Sequence, residues 1–258
     1  MEENKPLISV ITPAYNAERF IGEAIESVQK QTYANWEMVI VDDCSTDGTV
    51  RIVEEYRKKD PRIKLYRLEK NSGSAVARNT AMEHAKGRYI AFLDSDDRWL
   101  PEKLEKQLRF MQEKDIAFSF TTYVRMLEDG TRTRALSNTP EVVGYDDLMK
   151  RCVIGCLTVM LDRDKIGHLK MVNIRTRQDY VYWLTITKKG FLAYGLPEVL
   201  AEYRLVDNSI SSNKWKAAKR NWYVFRKIEK QSLLKSIWYF AHYAILSIRD
   251  MIKWRIQQ

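Results

Sequence analysis

Four short apolar runs fall within the first hundred residues, and segments of helical periodicity separate them. The runs are Leu7–Thr12 (LISVIT), Trp36–Val41 (WEMVIV), Ile63–Leu68 (IKLYRL) and Tyr89–Leu93 (YIAFL). Each has strand length, and the first, second and fourth are nearly continuous in apolar residues, as strands buried on both faces are. Between the first two, Phe20, Ile21, Ala24, Ile25 and Val28 recur at helical spacing, with Asn16 expected as the N-cap. Asp47 is expected to cap a second helix running to about Lys58, and the Ala-rich segment Ala75–Lys86 to form a third, stopped at Gly87. Strand and helix alternating in this way predict an α/β fold, with a mostly parallel central sheet flanked by helices.

Such sheets bind ligands beyond the carboxyl ends of their strands. Three of the runs end in polar clusters: Pro13-Ala14-Tyr15-Asn16, Asp42-Asp43 and Asp94-Ser95-Asp96-Asp97. These clusters should converge on one site. Three acids at one strand end repel one another unless a cation is present. Asp94-x-Asp96 therefore points to a hard divalent ion, Mn²⁺ or Mg²⁺, which takes one or two carboxylates plus phosphate oxygens. The competing readings are solvated turn acids, or helix-capping acids before Pro101. Asp42-Asp43 offers acceptors to a nucleoside. Tyr15 is either a stacking face or a core residue. Asn71-Ser72-Gly73-Ser74 leads into a helix with Arg78 one turn in, which suits a phosphate or a base edge. Asp179, beside Gln178 and among Tyr180, Tyr182 and Trp183, is either a general base or an N-cap.

The second half is looser. A charged helix is predicted over Pro101–Lys114, strands over 116–126 and 153–161, and a short helix over 145–151. Residues 129–142 read as a polar loop, Gln178–Lys188 as helix and Gly190–Tyr203 as strand. No G-x-G-x-x-G fingerprint, Walker pattern or D-x-D-x-T phosphatase motif occurs. Three cysteines form no paired framework, and their spacing matches no redox or zinc motif, so reduced thiols in a cytoplasmic compartment are expected. No signal peptide is seen, nor a run of the ~20 apolar residues that a membrane span needs.

Charge divides the chain. The net charge is +9 over 258 residues. Residues 213–258 carry 11 Lys or Arg against 2 acids, which accounts for all of it; residues 1–212 hold 32 of each sign. A nucleic-acid binder would spread that charge or carry a recognisable module, so no nucleic acid is expected as a partner. In the tail, Trp215, Ala218, Trp222, Phe225 and Ile228 form one helical stripe, and Ile237–Ile248 is an apolar helix of about 18 Å. Basic amphipathic helices with Trp and Tyr fit an anionic membrane surface. The alternative is that the stripe packs on the body or on a second copy in a homo-oligomer.

Together these segments resemble the family 2 glycosyltransferases, inverting enzymes of the nucleotide-diphospho-sugar transferase (GT-A) fold. The resemblance spans roughly residues 5–212. It rests on P-A-Y-N at 13–16, VDDCSTDGT at 41–49, N-x-G at 71–73, ARN at 77–79, G-x-YIAFLDSDD at 87–97 and QD at 178–179, all in family order. Within that family the chain is similar to bacterial enzymes of cell-surface polysaccharide synthesis, teichuronic acid transferases included.

The resemblance implies three parts: residues 1–97 for the nucleotide sugar, 98–212 for acceptor and catalysis, and the tail 213–258. It implies a nucleotide-sugar donor, UDP-linked, and a saccharide or lipid-linked saccharide acceptor at the inner face of the cell membrane. Thr12, Pro13, Tyr15, Asp43 and Arg78 match nucleoside-binding positions, with Asp43 and Arg78 on the base. Asp94 and Ser95 fall near the ribose, Asp94 and Asp96 at the metal, and Asp179 at the catalytic base. Arg204, in Glu202-Tyr203-Arg204 before Ser209-Ile210-Ser211, matches an arginine that meets the diphosphate. Gln178 and Trp183 are acceptor candidates. Gln178 stands where the family often has Glu, and Val206 where it often has His. A sugar-nucleotide-binding protein at the membrane without catalysis is the alternative.

Overall fold

The structure is a computed structural model that describes residues 5–206 and 214–256. Ser209, Ile210 and Ser211 lie outside the described residues. The four predicted runs form β1 (Ile8–Ala14), β2 (Trp36–Asp42), β3 (Ile63–Arg67) and β4 (Tyr89–Phe92). They pair in parallel, in the order β3-β2-β1-β4. Every residue of β1, β2 and β4 is buried, because helices cover both faces. On one face lie α1 (Ile21–Gln29), α2 (Thr49–Lys59) and α4 (Lys103–Glu113), which contribute Ile25, Val53 and Leu108 to a common core. On the other, α3 (Ser74–His84) lays Ala75, Ala77 and Ala81 against the sheet. Small residues on α3 let its backbone approach closely, which brings Arg78 down onto the strand ends.

Gly87 precedes β4. A Cβ there would lie 2.7 Å from the Leu7 carbonyl and the Ser9 nitrogen. Only glycine lets β4 come flush with β1.

The second half continues the same sheet. Its strands are β5 (Arg98–Trp99), β6 (Phe118–Met126), β7 (Arg132–Leu136), β8 (Val142–Val143), β9 (Met160–Asp162) and β10 (Ala193–Arg204). β9 runs antiparallel between β4 and β6, and β10 lies parallel to β6, giving β3-β2-β1-β4-β9-β6-β10-β5. The sheet is thus mixed at this end. The β6–β10 register shifts between Leu196 and Val199, where Pro197 has no N–H to give to the ladder. Helices α5 (Tyr145–Lys150), α6 (Arg163–Ile166) and α7 (Gln178–Lys188) complete the body.

Several expectations are corrected. Within the predicted loop 129–142, residues 132–136 form β7, an antiparallel partner of β6. The predicted strand 153–161 is strand only from Met160. Ahead of it, the Thr158 N–H and hydroxyl both donate to the Gly155 carbonyl, at 3.0 and 2.6 Å, and close a 3₁₀ turn. That run is apolar because it is buried, and apolar content alone does not separate strand from buried coil. Asn16 does not cap α1. It takes φ 47°, and its Oδ1 accepts from the Thr46 N–H at 2.9 Å, tying the β1 loop to the β2 loop. The N-cap of α2 is Gly48 and not Asp47; Asp47, one residue earlier, accepts from the Thr49 N–H at 3.0 Å and hydroxyl at 2.6 Å.

The tail forms α8 (Lys214–Tyr223), a π-helical turn over Val224–Ile228, and α9 (Leu233–Ile256). At 24 residues α9 is twice the expected length, about 36 Å. No helix among the described residues is long and apolar enough to cross a membrane. Val224 and Phe225 are fully buried, and Phe225 packs on Tyr239. Glu229 accepts from Lys188 of α7 at 3.0 Å and from the Tyr145 hydroxyl of α5 at 2.7 Å. One side of the tail therefore belongs to the body. The other side exposes Leu233, Leu234, Ile237, Trp238 and Ile245.

Lys103 is wholly buried at the start of α4. Its Nζ donates to Gln107 Oε1 at 2.6 Å and lies 4.3 Å from the centre of the Trp99 ring. Burial pulls its pKa down to about 7, against about 10.4 in an unfolded chain. From pH 7 to about 10 the unfolded chain holds a proton that the folded chain gives up, so stability rises with pH over that window. Lys103→Met should abolish this rise and stabilise the protein at pH 6 by about 1–3 kcal/mol. Urea titrations at pH 6, 7.5 and 9 measure both, and an unchanged slope would acquit Lys103.

Candidate active site

The register of the parallel strands brings their carboxyl ends to one edge. Ala14 lies opposite Asp42, and Ile11 opposite Phe92. The Asp43 N–H donates to the Ala14 carbonyl at 2.8 Å, and the Leu93 N–H to the Ile11 carbonyl at 3.1 Å. Thr12, Pro13, Asp43 and Asp94 are thereby neighbours, although 82 residues separate the first from the last. Tyr15, just past β1, is 50% exposed, so of its two readings the core one is excluded.

The Asp43 carboxylate is buried and accepts from the backbone N–H groups of Ser72, at 2.7 Å, and Gly73, at 2.8 Å. It draws the loop after β3 across the end of β2. Gly73 turns there with φ +90°, a conformation that L side chains rarely adopt. Each Asp43 oxygen keeps a second lone pair.

Arg78, one turn into α3, is buried and pairs with Asp94. Burial is the largest influence and opposes its charge, but Asp94, Cys156 and Asp179 together outweigh it and hold its pKa above the ordinary arginine range. Its Nε and Nη1 have no partner in the protein. Asp96 is pushed up to about 6, by burial first and by Asp94 second. Asp97 is pushed well above the carboxylate range by burial and by its two acidic neighbours. One Asp97 oxygen accepts from the Arg204 N–H at 2.8 Å; the other is buried and unpartnered.

Arg204 was expected at the diphosphate, and the structure places it elsewhere. Its side chain is completely buried. Nε donates to the Asp96 carbonyl at 2.7 Å, Nη1 to the Glu128 carbonyl at 2.7 Å and Nη2 to Glu23 at 2.6 Å. It braces the acidic loop from behind. Glu23, on α1, also takes Arg98 at 3.1 Å, and Arg98 and Arg132 both pair with Glu202. Nothing in the sequence marked Glu23 as part of this network, because its partners lie 75 and 181 residues away.

Asp179 stands in the first turn of α7, half-buried. Its charge acts on Arg78, Cys152 and Cys156, and its neighbour Gln178 ties α7 to the helix that carries Arg78. Gln178 Nε2 donates to Ser74 Oγ at 2.6 Å, joining the starts of α7 and α3, and its Oε1 is buried without a partner. Trp183 is corrected as an acceptor candidate. It is wholly buried and packs on Phe92 and Phe118, with ring centres at 5.6 and 5.3 Å. Cys156, read from the sequence only as a reduced thiol, lies near Arg78, Asp94 and Asp179, and burial pushes its thiol up.

Six buried polar atoms along this edge have no protein partner: Thr12 Oγ1, Asp42 Oδ1, Arg78 Nε and Nη1, Asp97 Oδ2 and Gln178 Oε1. Buried polar groups are normally paired, so this concentration marks a surface built for a polar ligand. Among the described residues, no cluster of three or more His, Cys, Asp or Glu side chains could hold a metal. A cation at Asp94 and Asp96 would take its other ligands from solvent and from a bound phosphate, as Mn²⁺ and Mg²⁺ do. The unpartnered oxygen of Asp97 and the raised pKa of Asp96 fit such an ion.

The family model for glycosyl transferase family 2 matches residues 9–169. The chain belongs to this family. A Bacillus subtilis relative of this glycosyltransferase, named as the teichuronic acid biosynthesis glycosyltransferase TuaG, is 58% identical over 96% of this chain and 98% of its own length. An Escherichia coli relative, the UDP-Glc:α-D-GlcNAc-diphosphoundecaprenol β-1,3-glucosyltransferase WfgD, is 41% identical over 94% of each chain. Among solved structures, Staphylococcus aureus TarS bound to UDP-GlcNAc has TM-score 0.67 at 23% identity, covering 92% of this chain and 71% of that one. The Pyrobaculum calidifontis mannosyltransferase PcManGT, bound to GDP-Man and Mn²⁺, has TM-score 0.68 at 20% identity, covering 93% and 74%. The enzyme thus has the expected GT-A fold.

Asp96 is held at a cost. Its folded pKa, about 6, exceeds the unfolded ~3.9. The folded chain binds the proton more tightly, so metal-free stability falls as pH rises from about 4 to 6. Asp96→Asn should therefore stabilise the metal-free protein at pH 7.5, by about 1–3 kcal/mol. Thermal unfolding in chelator measures this, and an unchanged or lowered midpoint would show that the charge is not costly there.

Proposed function

We propose that this enzyme transfers a sugar from a UDP-linked donor, with inversion, to a hydroxyl of a lipid-linked saccharide in cell-surface polysaccharide synthesis. The observation that carries this is the Gln178–Ser74 hydrogen bond, which brings the start of α7, with Asp179, to the start of α3, whose Arg78 pairs with Asp94. The family, the UDP-GlcNAc complex of TarS and the printed activity of the E. coli relative support the donor and acceptor classes.

In this reading Tyr15 stacks on the base, held in place by Thr12 and Pro13. Asp43 and the unpartnered nitrogens of Arg78 meet its polar edge, and Asp94 and Ser95 face the ribose. Asp96, with Asp94, would hold Mn²⁺ or Mg²⁺. The ion, when bound, offsets charge on the diphosphate. Asp179 takes the proton from the acceptor hydroxyl. The hydroxyl oxygen then bonds to the anomeric carbon on the face opposite the diphosphate. The bond to the diphosphate breaks, and its electron pair leaves with the nucleotide. A single displacement of this kind inverts the anomeric centre. Gln178 bridges α7 to α3 and so fixes where the base stands. Arg204 keeps the acidic loop in place and does not itself meet the diphosphate.

The tail is proposed to hold the enzyme peripherally at the inner face of the membrane. Leu234, Ile237, Trp238 and Ile245 are each at least half exposed, and the tail carries the whole positive excess of the chain. Both features suit an anionic bilayer.

Asp179→Asn should lower turnover by about 10²–10⁴-fold, the usual reach of a general base, while UDP binding persists. Near-normal acceptor-dependent UDP release by that variant would remove Asp179 from the mechanism. Absence of acceptor-dependent release from the wild type, with donor binding intact, would favour a binding protein instead. For the membrane reading, deleting the tail would also remove Val224 and Phe225 from the core of the body, so Leu234→Glu with Trp238→Glu is the cleaner variant. It should sediment far less with phosphatidylglycerol vesicles; equal sedimentation would refute the anchor.

A further inference from the structure

We infer that a groove in the tail binds the isoprenoid diphosphate portion of the lipid-linked acceptor and leads it toward Asp179. This rests on the glycosyltransferase reading above and adds a site to it. A cavity of about 530 Å³ is walled by Trp222, Tyr223 and Phe240 and rimmed by Lys219, Arg226 and Lys227. The walls are apolar and partly fixed: Trp222 meets Phe240 edge to face, with ring centres 5.7 Å apart. Its volume falls in the range of ~300–1,000 Å³ typical of small-molecule sites.

A second cavity, of about 340 Å³, adjoins it. Lys219 and Tyr223 line both, and the second is continued by Ile174, Arg175 and Thr176. Thr176 precedes Asp179 by three residues. The two cavities therefore form a track, from an apolar groove in the tail to the loop that precedes α7, the helix of the proposed base.

Charge along the track identifies the occupant. Lys219, Lys227 and Arg175 are exposed, and among the described residues none of the three is in an ion pair with an acid. Cations left without counter-ions at the mouth of an aromatic groove match a ligand with an apolar chain and a multiply charged head. The nucleotide sugar has no apolar chain, and the strand-end edge already offers its polar partners. An isoprenoid diphosphate has both parts. With its chain against Trp222 and Phe240 and its diphosphate between Lys219 and Arg175, the attached sugar would extend to Asp179.

Farnesyl diphosphate is a water-compatible probe. The full-length wild type should bind it in titration calorimetry more tightly than it binds inorganic pyrophosphate. Arg175→Glu with Lys219→Glu, both at exposed positions, should weaken that binding by about tenfold or more, while UDP affinity stays within about twofold. Tyr223→Ser should weaken farnesyl diphosphate and leave pyrophosphate unchanged. Pyrophosphate binding as tight as farnesyl diphosphate, or a double variant that binds farnesyl diphosphate like the wild type, overturns the inference. Charge reversals that reduce sedimentation with phosphatidylglycerol vesicles but spare farnesyl diphosphate mark a bilayer headgroup patch only, and overturn it too. UDP titration reports separately on the glycosyltransferase reading: a wild type that binds farnesyl diphosphate but no UDP would fail that reading and not the groove.

Discussion

Asp94, Asp96 and Asp97 stand within four residues at the end of a buried strand, and their mutual repulsion must be offset. Two buried arginines do this from opposite sides. Arg78 reaches Asp94 from α3, in the first half of the chain. Arg204, at the end of β10, gives its backbone N–H to Asp97 and its Nε to the Asp96 carbonyl. Removing one partner of a buried charge pair typically costs about 3–5 kcal/mol. The acidic loop is thus the point at which the two halves depend on each other. The compensation is incomplete, since Asp96 and Asp97 keep raised pKa values and Asp97 keeps a bare oxygen. That residue of unbalanced negative charge is what a divalent cation and its diphosphate would settle.

The bracing extends outward from Arg204. Its guanidinium is held by Glu23 of α1 and lies 4.5 Å from the centre of the Phe20 ring. Arg98 binds Glu23 and Glu202 together. Position 23 thereby links α1 to β5 and β10, so that the side of the loop away from the ligand is a closed network of charge. The side toward the ligand is left open, with its polar atoms unpaired. A site built this way is pre-organised by protein contacts and completed by what it binds.

The tail has two faces with different work. Ser236 and Tyr239 of α9 face the body, where the Tyr239 hydroxyl donates to Asp146 at 2.6 Å. Leu233, Leu234, Ile237 and Trp238 face outward on the same helix. Packing on the body, one of the readings of the tail from sequence, holds for one side of it; the outward side of α9 is the one open to the proposed membrane attachment. Its attachment through Glu229 to α5 and α7 holds the outward face, and the groove beside it, in a fixed relation to Asp179.

The first hundred residues could be read almost element for element, because strands buried on both faces leave an unbroken apolar pattern and their ends must be polar. That much, with the convergence of Tyr15, Asp43 and Asp94 on one edge, local sequence determined. It did not show β7 inside a polar loop or the 3₁₀ turn inside an apolar run, since edge pairing and buried coil leave no period of their own. It named Trp183, four residues from Asp179, as an acceptor candidate, and only the folded packing against Phe92 and Phe118 shows that ring to be buried. The family resemblance implied Arg204 at the diphosphate, whereas the fold turns that side chain into the protein, toward Glu23. Asp43 and Arg78 were legible because each sits beside its own strand end or helix start. Glu23, Arg204 and the groove at Lys219 were decided by tertiary structure alone, because their partners are distant in sequence and the physical interaction, a buried charge network or an apolar wall, exists only once the chain has folded.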